Sequence, residues 1–223
     1  MTQHDPLQEL ARIRGLMDRS TRFLSLSGLS GVIAGVAALA GAFAAREHHN
    51  ALLWSDDARH HAGSLLAQGA MEEQRLWWSH VTFLMADGAV VLTVALLGAF
   101  WFTWRRGKSI GQRLWDASAR RMAINLFLPL AAGGLFSLAL ILHGAVHLVP
   151  AATLVFYGLA LLNASKYTLD EIRWLGLSEA ALGVLAAFWA SAGLLFWALG
   201  FGVLHIFYGG LMYLRHERGN TAP

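Results

Sequence analysis

Three ionisable side chains lie inside long apolar stretches of this sequence, where a charge is costly. They are Asp87, Glu179 and His205. A charged residue at the centre of a bilayer costs about 2.5–3.5 kcal/mol on insertion scales, so such residues usually face a protein interior or a hydrated cavity. Carboxylates and imidazoles can bind and release protons there. We therefore predict that the three residues form successive stations of a proton or cation pathway.

The same residues also have a purely structural interpretation. Asp87 and His205 could form a buried pair, or each could bond Ser, Thr or backbone groups. Glu179 could extend its carboxylate to the nearer membrane interface. Uncharged polar groups in the apolar runs are expected to link neighbouring helices by hydrogen bonds: Asn125, Asn163 and Tyr157.

Two histidine pairs could bind a metal ion. His143 and His147 are four residues apart, so their imidazoles share a face if the chain stays helical there, and they could hold Zn, Cu or Ni. His60 and His61 each follow an aspartate at the same spacing. Ordinary solvated histidines are the stronger explanation of both patterns, and neither completes a recognised metal motif. A bis-histidine haem would need histidines of different helices to face one cavity.

The composition indicates that lipid surrounds most of the chain. Apolar residues make up 56% of the sequence and charged residues only 14%. A bilayer core needs roughly 20 apolar residues in a helix, and the apolar runs here have helical length. A hairpin near Ser191-Ala192-Gly193 divides the last long run. We predict an all-α integral membrane bundle of six transmembrane helices: Phe23–Ala45, His80–Trp104, Met122–His143, Val149–Ser165, Gly176–Ala190 and Leu194–Tyr213.

The basic residues give this bundle a predicted orientation. Of the 17 Lys and Arg residues, 14 fall on segments that share one side, and only Arg46, Arg59 and Arg75 fall on the other. The positive-inside rule then predicts that both termini lie in the cytoplasm, with the chain in the inner membrane of the cell. The predicted segments are a leader (1–22), the transmembrane domain (23–213) with a short helical extracytoplasmic loop (46–79) and a cytoplasmic loop (105–121), and a tail (214–223).

Local signals refine these segments. Ser55 is predicted to begin a helix within the outer loop, as its N-cap. Thr168 and Glu171 have capping-box spacing and predict a helix start before the fifth span. Pro129 should kink the third span.

Small residues in the first span allow close approach of another helix. Gly31 and Gly35 are four residues apart, which favours packing inside the bundle but would also suit a homo-oligomer. Residues 7–22 alternate apolar and basic side chains at helical spacing, which predicts an amphipathic helix on the inner membrane surface or a simple orientation signal.

Both ends of the chain resemble a known group of proteins. The stretch from Arg19 to Gly35 resembles the N-terminal segment of a family of uncharacterised bacterial polytopic inner-membrane proteins. The stretch from Leu194 to Tyr213 also resembles this family. The second stretch matches through a set of aromatic, glycine and histidine residues: Trp197, Gly200, Gly202, His205, Tyr208 and Gly209. The resemblance implies a bacterial inner-membrane protein and carries no catalytic residue across.

Several functions are excluded by what the sequence lacks. It contains no cysteine, no lysine in a predicted span, no phosphate-binding loop, no zinc-protease motif and no nucleophile elbow, so no enzyme activity is predicted. Its basic residues flank spans, which indicates contact with anionic lipid rather than nucleic acid. Three hypotheses remain: a small transport or ion-coupling protein, a sensor or scaffold that presents the leader and residues 105–121 to a cytoplasmic partner, and an outer-face metal or haem binder.

Overall fold

The structure is a computed structural model that describes residues 23, 25–60, 66–109, 111 and 115–218, with backbone only between 52 and 73. Every regular element in these ranges is helical. Five helices are α1 (Gly28–His60), α2 (Leu66–Ser109), α3 (Ala117–Leu142), α4 (Val149–Ala164) and α5 (Asp170–Phe188). A C-terminal rod follows, built from α6 (Gly193–Trp197), a π-helical segment (Ala198–Leu204) and α7 (His205–His216).

Five stretches of the described chain are long and apolar enough to cross a membrane: Gly28–Ala51, Gln74–Ser109, Ala117–Leu142, Val146–Tyr167 and Ala190–His216. This confirms that the described chain is all-helical, with helices long and apolar enough to span a membrane. Helix α5 is not among the five, because four of its 19 residues are charged. The predicted break before the last span is present, since α5 ends at Phe188 and α6 begins at Gly193.

The charged residues separate the two ends of this bundle. Helices α1, α3 and α5 begin at one end, where α2, α4 and α7 finish, as shown by contacts such as Phe23 N to Tyr167 O (2.7 Å) and Arg106 to Glu217 (2.8 Å). We call it the basic end, and the opposite one the distal end. Nine described Lys and Arg side chains belong to the basic end: Arg105, Arg106, Lys108, Arg120, Arg121, Lys166, Arg173, Arg215 and Arg218.

The predicted outer loop is largely an extension of two spans. Helix α1 continues to His60 and α2 already begins at Leu66, so the N-cap prediction for Ser55 is wrong and this residue lies inside α1. The physical reason is that residues 46–60 contain no Gly or Pro, while several are good helix formers. A helix that has already formed adds such residues at little cost.

The first span begins later than predicted. The backbone of Phe23 pairs with the chain before α5: its N–H donates to Tyr167 O, and its carbonyl accepts from the Thr168 hydroxyl at 2.9 Å. Thr168 therefore does not act in the predicted capping box, and the N-cap position of α5 is Leu169, which makes no side-chain cap bond. The helix start itself is within two residues of the prediction.

A carboxylate from the other end of the chain caps α1. Glu217 accepts from the backbone N–H of Gly28 at 2.6 Å and from the Ser27 hydroxyl at 3.1 Å. Arg106 donates to the same carboxylate and also to Leu26 O. A negative group at a helix N-terminus satisfies free N–H groups and the helix dipole together. This cluster thus ties α1, α2 and α7 together at the basic end.

The glycine stripe of α1 packs inside the bundle, as favoured from the sequence. A Cβ at Gly31 would lie 3.2 Å from Gly209 Cα of α7, and one at Gly35 would lie 2.6 Å from Gly202 O. The opposite face of α1 meets α2, where a Cβ at Gly98 would lie 3.1 Å from the Ile33 side chain. Helix α1 therefore lies between α2 and the C-terminal rod.

Helix α3 passes through Pro129, and a neighbouring helix repairs the missing hydrogen bond. Proline has no N–H for the carbonyl four residues earlier, which belongs to Asn125. The side-chain amide of Asn163 in α4 donates to that oxygen at 3.0 Å, and Lys166 holds the other end of the amide at 3.1 Å. Asn163 thus links two helices, as predicted, while the Asn125 side chain bonds its own helix at Arg121 O.

This repair can be tested by a double-mutant cycle. We expect Asn163→Ala to lower the free energy of unfolding by about 1–3 kcal/mol, because it leaves a carbonyl without a partner. In a Pro129→Ala background the restored N–H should bond Asn125 O, and the same substitution should then cost much less. Unfolding by SDS in mixed micelles measures both values, and equal losses in the two backgrounds would contradict the assignment.

Candidate functional site

Two of the three predicted ionisable residues meet inside the bundle. Glu179 lies on α5 and is fully buried, and His205 is the first residue of α7 with 6% of its surface exposed. Glu179 Oε1 lies 3.2 Å from His205 Nδ1. Glu179 therefore does not extend to an interface, and the partner of His205 is Glu179 rather than Asp87.

The carboxylate of Glu179 is incompletely satisfied. Although Oε1 is within ion-pair distance of the imidazole, neither oxygen has a directional hydrogen bond. The Nδ1 hydrogen points instead at the carbonyl of Gly200, 3.1 Å away. A buried acceptor without a partner costs about 1–3 kcal/mol, and native structures retain few of them. This carboxylate is therefore the strongest candidate for chemistry in the described part of the chain.

Tyr157 of α4 completes the group. Its hydroxyl lies 2.8 Å from His205 Nε2. Because a carbonyl can only accept, the contact with Gly200 assigns a proton to Nδ1, so Nε2 is an acceptor in the neutral ring and a donor in the protonated ring. A hydroxyl can both donate and accept. Tyr157 can therefore hold His205 in either protonation state without moving, and it also serves as the predicted link between helices.

The π-helical segment makes room for the carboxylate. Glu179 Oε2 and Leu154 occupy the space where a Cβ of residue 200 would stand, and Glu179 Cδ is 3.2 Å from that point, so a larger residue at this position would displace both side chains. The wider π turn also lets His205 bond a carbonyl five residues earlier. Such turns are often found at functional sites. Apolar length and spacing do not predict this feature, although the two glycines around Phe201 within a span are a signal for it.

Asp87 does not join this group. It lies on α2 and faces α1, where a Cβ at Gly41 would be 3.1 Å from Asp87 Oδ2. The C-terminal rod packs on the other face of α1, at Gly31 and Gly35. The structure thus brings Glu179 and His205 together and leaves Asp87 on the opposite side of α1.

The corner that carries His143 and His147 is not a continuous α-helix: His143 follows the end of α3, and His147 lies in a short 3-10 turn (Val146–Leu148). Helix α3 ends at Leu142, and Gly144 has a φ of 74°, a left-handed conformation that stops the helix. The expected shared face is therefore absent. The His143 ring instead contacts Ala139 O of its own helix at 2.7 Å. The side chains of His60 and His61 lie outside the described residues.

A different histidine cluster lies at the distal end, which the sequence analysis did not predict. The rings of His48 and His80 are stacked with centroids 5.5 Å apart, and His49 lies 5.6 Å from His80. His48 Nε2 and His80 Nδ1 are buried without a hydrogen-bond partner. Across the residues whose side chains are described, no three His, Cys, Asp or Glu groups are arranged to hold one metal ion.

A second acid–imidazole contact lies at the basic end of the same two helices. Glu171 of α5 is 3.3 Å from the Arg215 guanidinium and 3.1 Å from His216 Nε2. Burial alone would raise the pKa of Glu171, but its own backbone N–H and the two α7 side chains hold the pKa below its usual value. Glu171 is therefore ionised at neutral pH.

Comparisons with protein families, with curated proteins and with solved structures give no match for this chain. The geometry of the site therefore carries the functional argument.

Proposed function

We propose that this protein is a small membrane transport or ion-coupling protein in which Glu179 and His205 bind and release a proton. The observation that carries the proposal is the buried contact of Oε1 with Nδ1 at 3.2 Å, in which the carboxylate lacks a directional hydrogen bond. Protonation of the carboxylate neutralises a buried charge that lacks a directional hydrogen bond. Tyr157 stabilises the imidazole in both of its states.

A structural role alone accounts less well for this pair. Buried ion pairs are weak contributors to stability, because desolvation of both charges offsets their attraction, and apolar residues of similar volume often serve as well. A pair kept for packing would also be expected to satisfy its oxygens. Glu179 instead leaves both without a directional bond, next to a glycine that only just admits them.

The proposal includes six spans and a bacterial inner membrane with both termini in the cytoplasm. Helix α5 has 19 residues, which at 1.5 Å per residue gives about 28 Å, close to the thickness of a bilayer core. Its charges at Asp170, Glu171 and Arg173 then lie at the basic interface, and Glu179 remains inside. The concentration of Lys and Arg at the basic end supports its assignment to the cytoplasm.

Infrared difference spectroscopy of the protein in liposomes, recorded on a pH step, tests the proposal. The wild type should show a carboxylic-acid band that disappears in Glu179→Gln, together with loss of proton uptake measured by a pH-sensitive dye. Asp87→Asn is the matched control, because its carboxylate also belongs to a predicted span but lies on the other side of α1; it should keep both signals. Wild-type proton uptake by Glu179→Gln would refute the proposal.

A further inference from the structure

An open cleft lies at the basic end of the bundle, between the two helices that carry the buried pair. It lies between α5 and α7, has a volume of about 260 Å³ and is lined in part by Glu171, Trp174, Tyr208, Leu211 and His216. One water molecule needs on the order of 10–15 Å³ of space in a polar cavity, so several waters fit in the cleft. The cleft therefore gives bulk water a route into the seam between the two helices.

The entrance of the cleft carries groups that can exchange protons. Glu171 is faced by Arg215 and His216 of α7, and Asp170 and Arg173 flank it on α5. The imidazole of His216 is about one-third exposed, so it meets water directly. An imidazole ring has one nitrogen that can accept a proton and one that can donate it, so it can pass a proton between water and a neighbouring carboxylate.

The inner wall of the cleft lies one helical turn from the site. Tyr208 follows His205 by three residues, so the two side chains are neighbours on one face of α7. The Tyr208 hydroxyl is 3.4 Å from that of Ser178, which precedes Glu179 on α5. Leu175 and Met212 belong to a buried apolar cluster against which Tyr208 packs. Tyr208 is thus the polar group by which the cleft approaches His205.

The opposite direction is closed by apolar packing. On the distal side of Glu179, Leu154 is fully buried and Ala186 is 1% exposed, with Phe196 and Phe201 packed against them. The Trp197 ring lies 5.0 Å from that of Phe201 and continues the layer toward the distal end. This cluster contains no ionisable side chain, so within the described residues it offers no proton relay between Glu179 and the distal end.

We propose that the Glu179–His205 pair exchanges protons with the basic side of the membrane alone in this conformation, through the α5–α7 seam. His216 and Glu171 form the entrance relay, and Tyr208 forms the last polar contact. The step is a simple transfer: a proton taken from water on the basic side ends on the Glu179 carboxylate, which becomes a neutral acid. This inference rests on the proposed function, because it assumes that the Glu179–His205 pair binds the proton.

Single cysteines in the cysteine-free chain test the seam directly. Charged, membrane-impermeant thiosulfonate reagents are added to one side of oriented proteoliposomes at a time, with Arg218→Cys marking the basic side. Tyr208→Cys and Leu211→Cys should label from the basic side only, and Phe201→Cys from neither. Phe207→Cys is the matched control: it neighbours Tyr208 but is 61% exposed on the outer surface of α7, toward lipid, and should not label.

Labelling of Tyr208→Cys from the distal side, its failure to label from the basic side, or labelling of Phe201→Cys would each overturn the seam. These results do not depend on whether Glu179 titrates. Loss of proton uptake in Glu179→Gln combined with distal labelling would keep the proposed function and reject the route. If the cysteines label as expected but Glu179→Gln takes up protons like the wild type, the proposed function is rejected. Proton transfer through the cleft to Glu179 is then rejected with it, although the cleft is accessible.

The relay has its own kinetic test. His216→Ala should slow proton uptake after a pH step by about tenfold or more, and free imidazole added on the basic side should restore the rate. His143→Ala, which removes a histidine from the distal end, should leave the rate unchanged. A normal rate in His216→Ala, or a slow rate that imidazole does not restore, removes His216 from the relay.

Discussion

Replacing Gly209 by leucine is expected to disrupt the contact between α1 and α7 and to lower the free energy of unfolding by about 3 kcal/mol. A Cβ at this position would lie 2.7 Å from Gly28 O and 2.8 Å from Val32 N, both of which are backbone atoms that cannot turn aside. The two helices must therefore move apart, which also opens the cluster that Glu217 forms around the start of α1. SDS titration of the purified protein in mixed micelles measures the loss.

The next residue provides a matched control. Gly210 is also in α7, but nothing lies within 4 Å of a Cβ built there. Gly210→Leu should change the unfolding free energy by no more than about 0.5 kcal/mol, because it adds a side chain to an open surface and removes a poor helix former. If the two variants lose the same stability, close packing at Gly209 is not what holds these helices together.

The helical class and the separation of charge could be predicted from the sequence because both depend on short-range properties. A run of apolar residues long enough to span lipid forms a helix whatever its neighbours are, and each basic segment is fixed by the spans beside it. Helix ends were less predictable. Helix α1 starts at Gly28 rather than Phe23 because a distant partner, Tyr167, pairs with the Phe23 backbone. It extends past Ser55 because nothing in the sequence stops it.

The members of the site could be predicted one by one, but not their arrangement. Glu179 and His205 stood out because an ionisable group in an apolar run is costly wherever it points. Their pairing depends on the hairpin between α5 and α6 and on the π turn at Gly200, and neither spacing nor periodicity reports where such a turn falls. Asp87 has the same local signature and lies on the other side of α1. His143 and His147 have metal-ligand spacing, but Gly144 ends the helix between them.

His205→Ala is expected to lower the free energy of unfolding by about 3–5 kcal/mol at neutral pH, which is the usual loss when one partner of a buried ion pair is removed. Glu179 would then remain fully buried with neither an ion-pair partner nor a directional hydrogen bond. The Tyr157 hydroxyl would lose the imidazole as its hydrogen-bond partner as well. The same SDS titration measures this loss, and His147→Ala, at an exposed position of the distal corner, is the control and should cost little.

Adding Glu179→Leu to His205→Ala should recover most of that stability, because the double variant buries no charge and leucine has nearly the volume of glutamate. The proposed function also predicts that this double variant does not take up protons, although its stability is recovered. The double variant would then be stable but unable to take up protons. A pair retained only for packing would not give this combination. A double variant that stays as unstable as His205→Ala would show that the two side chains are held together by shape and not by charge.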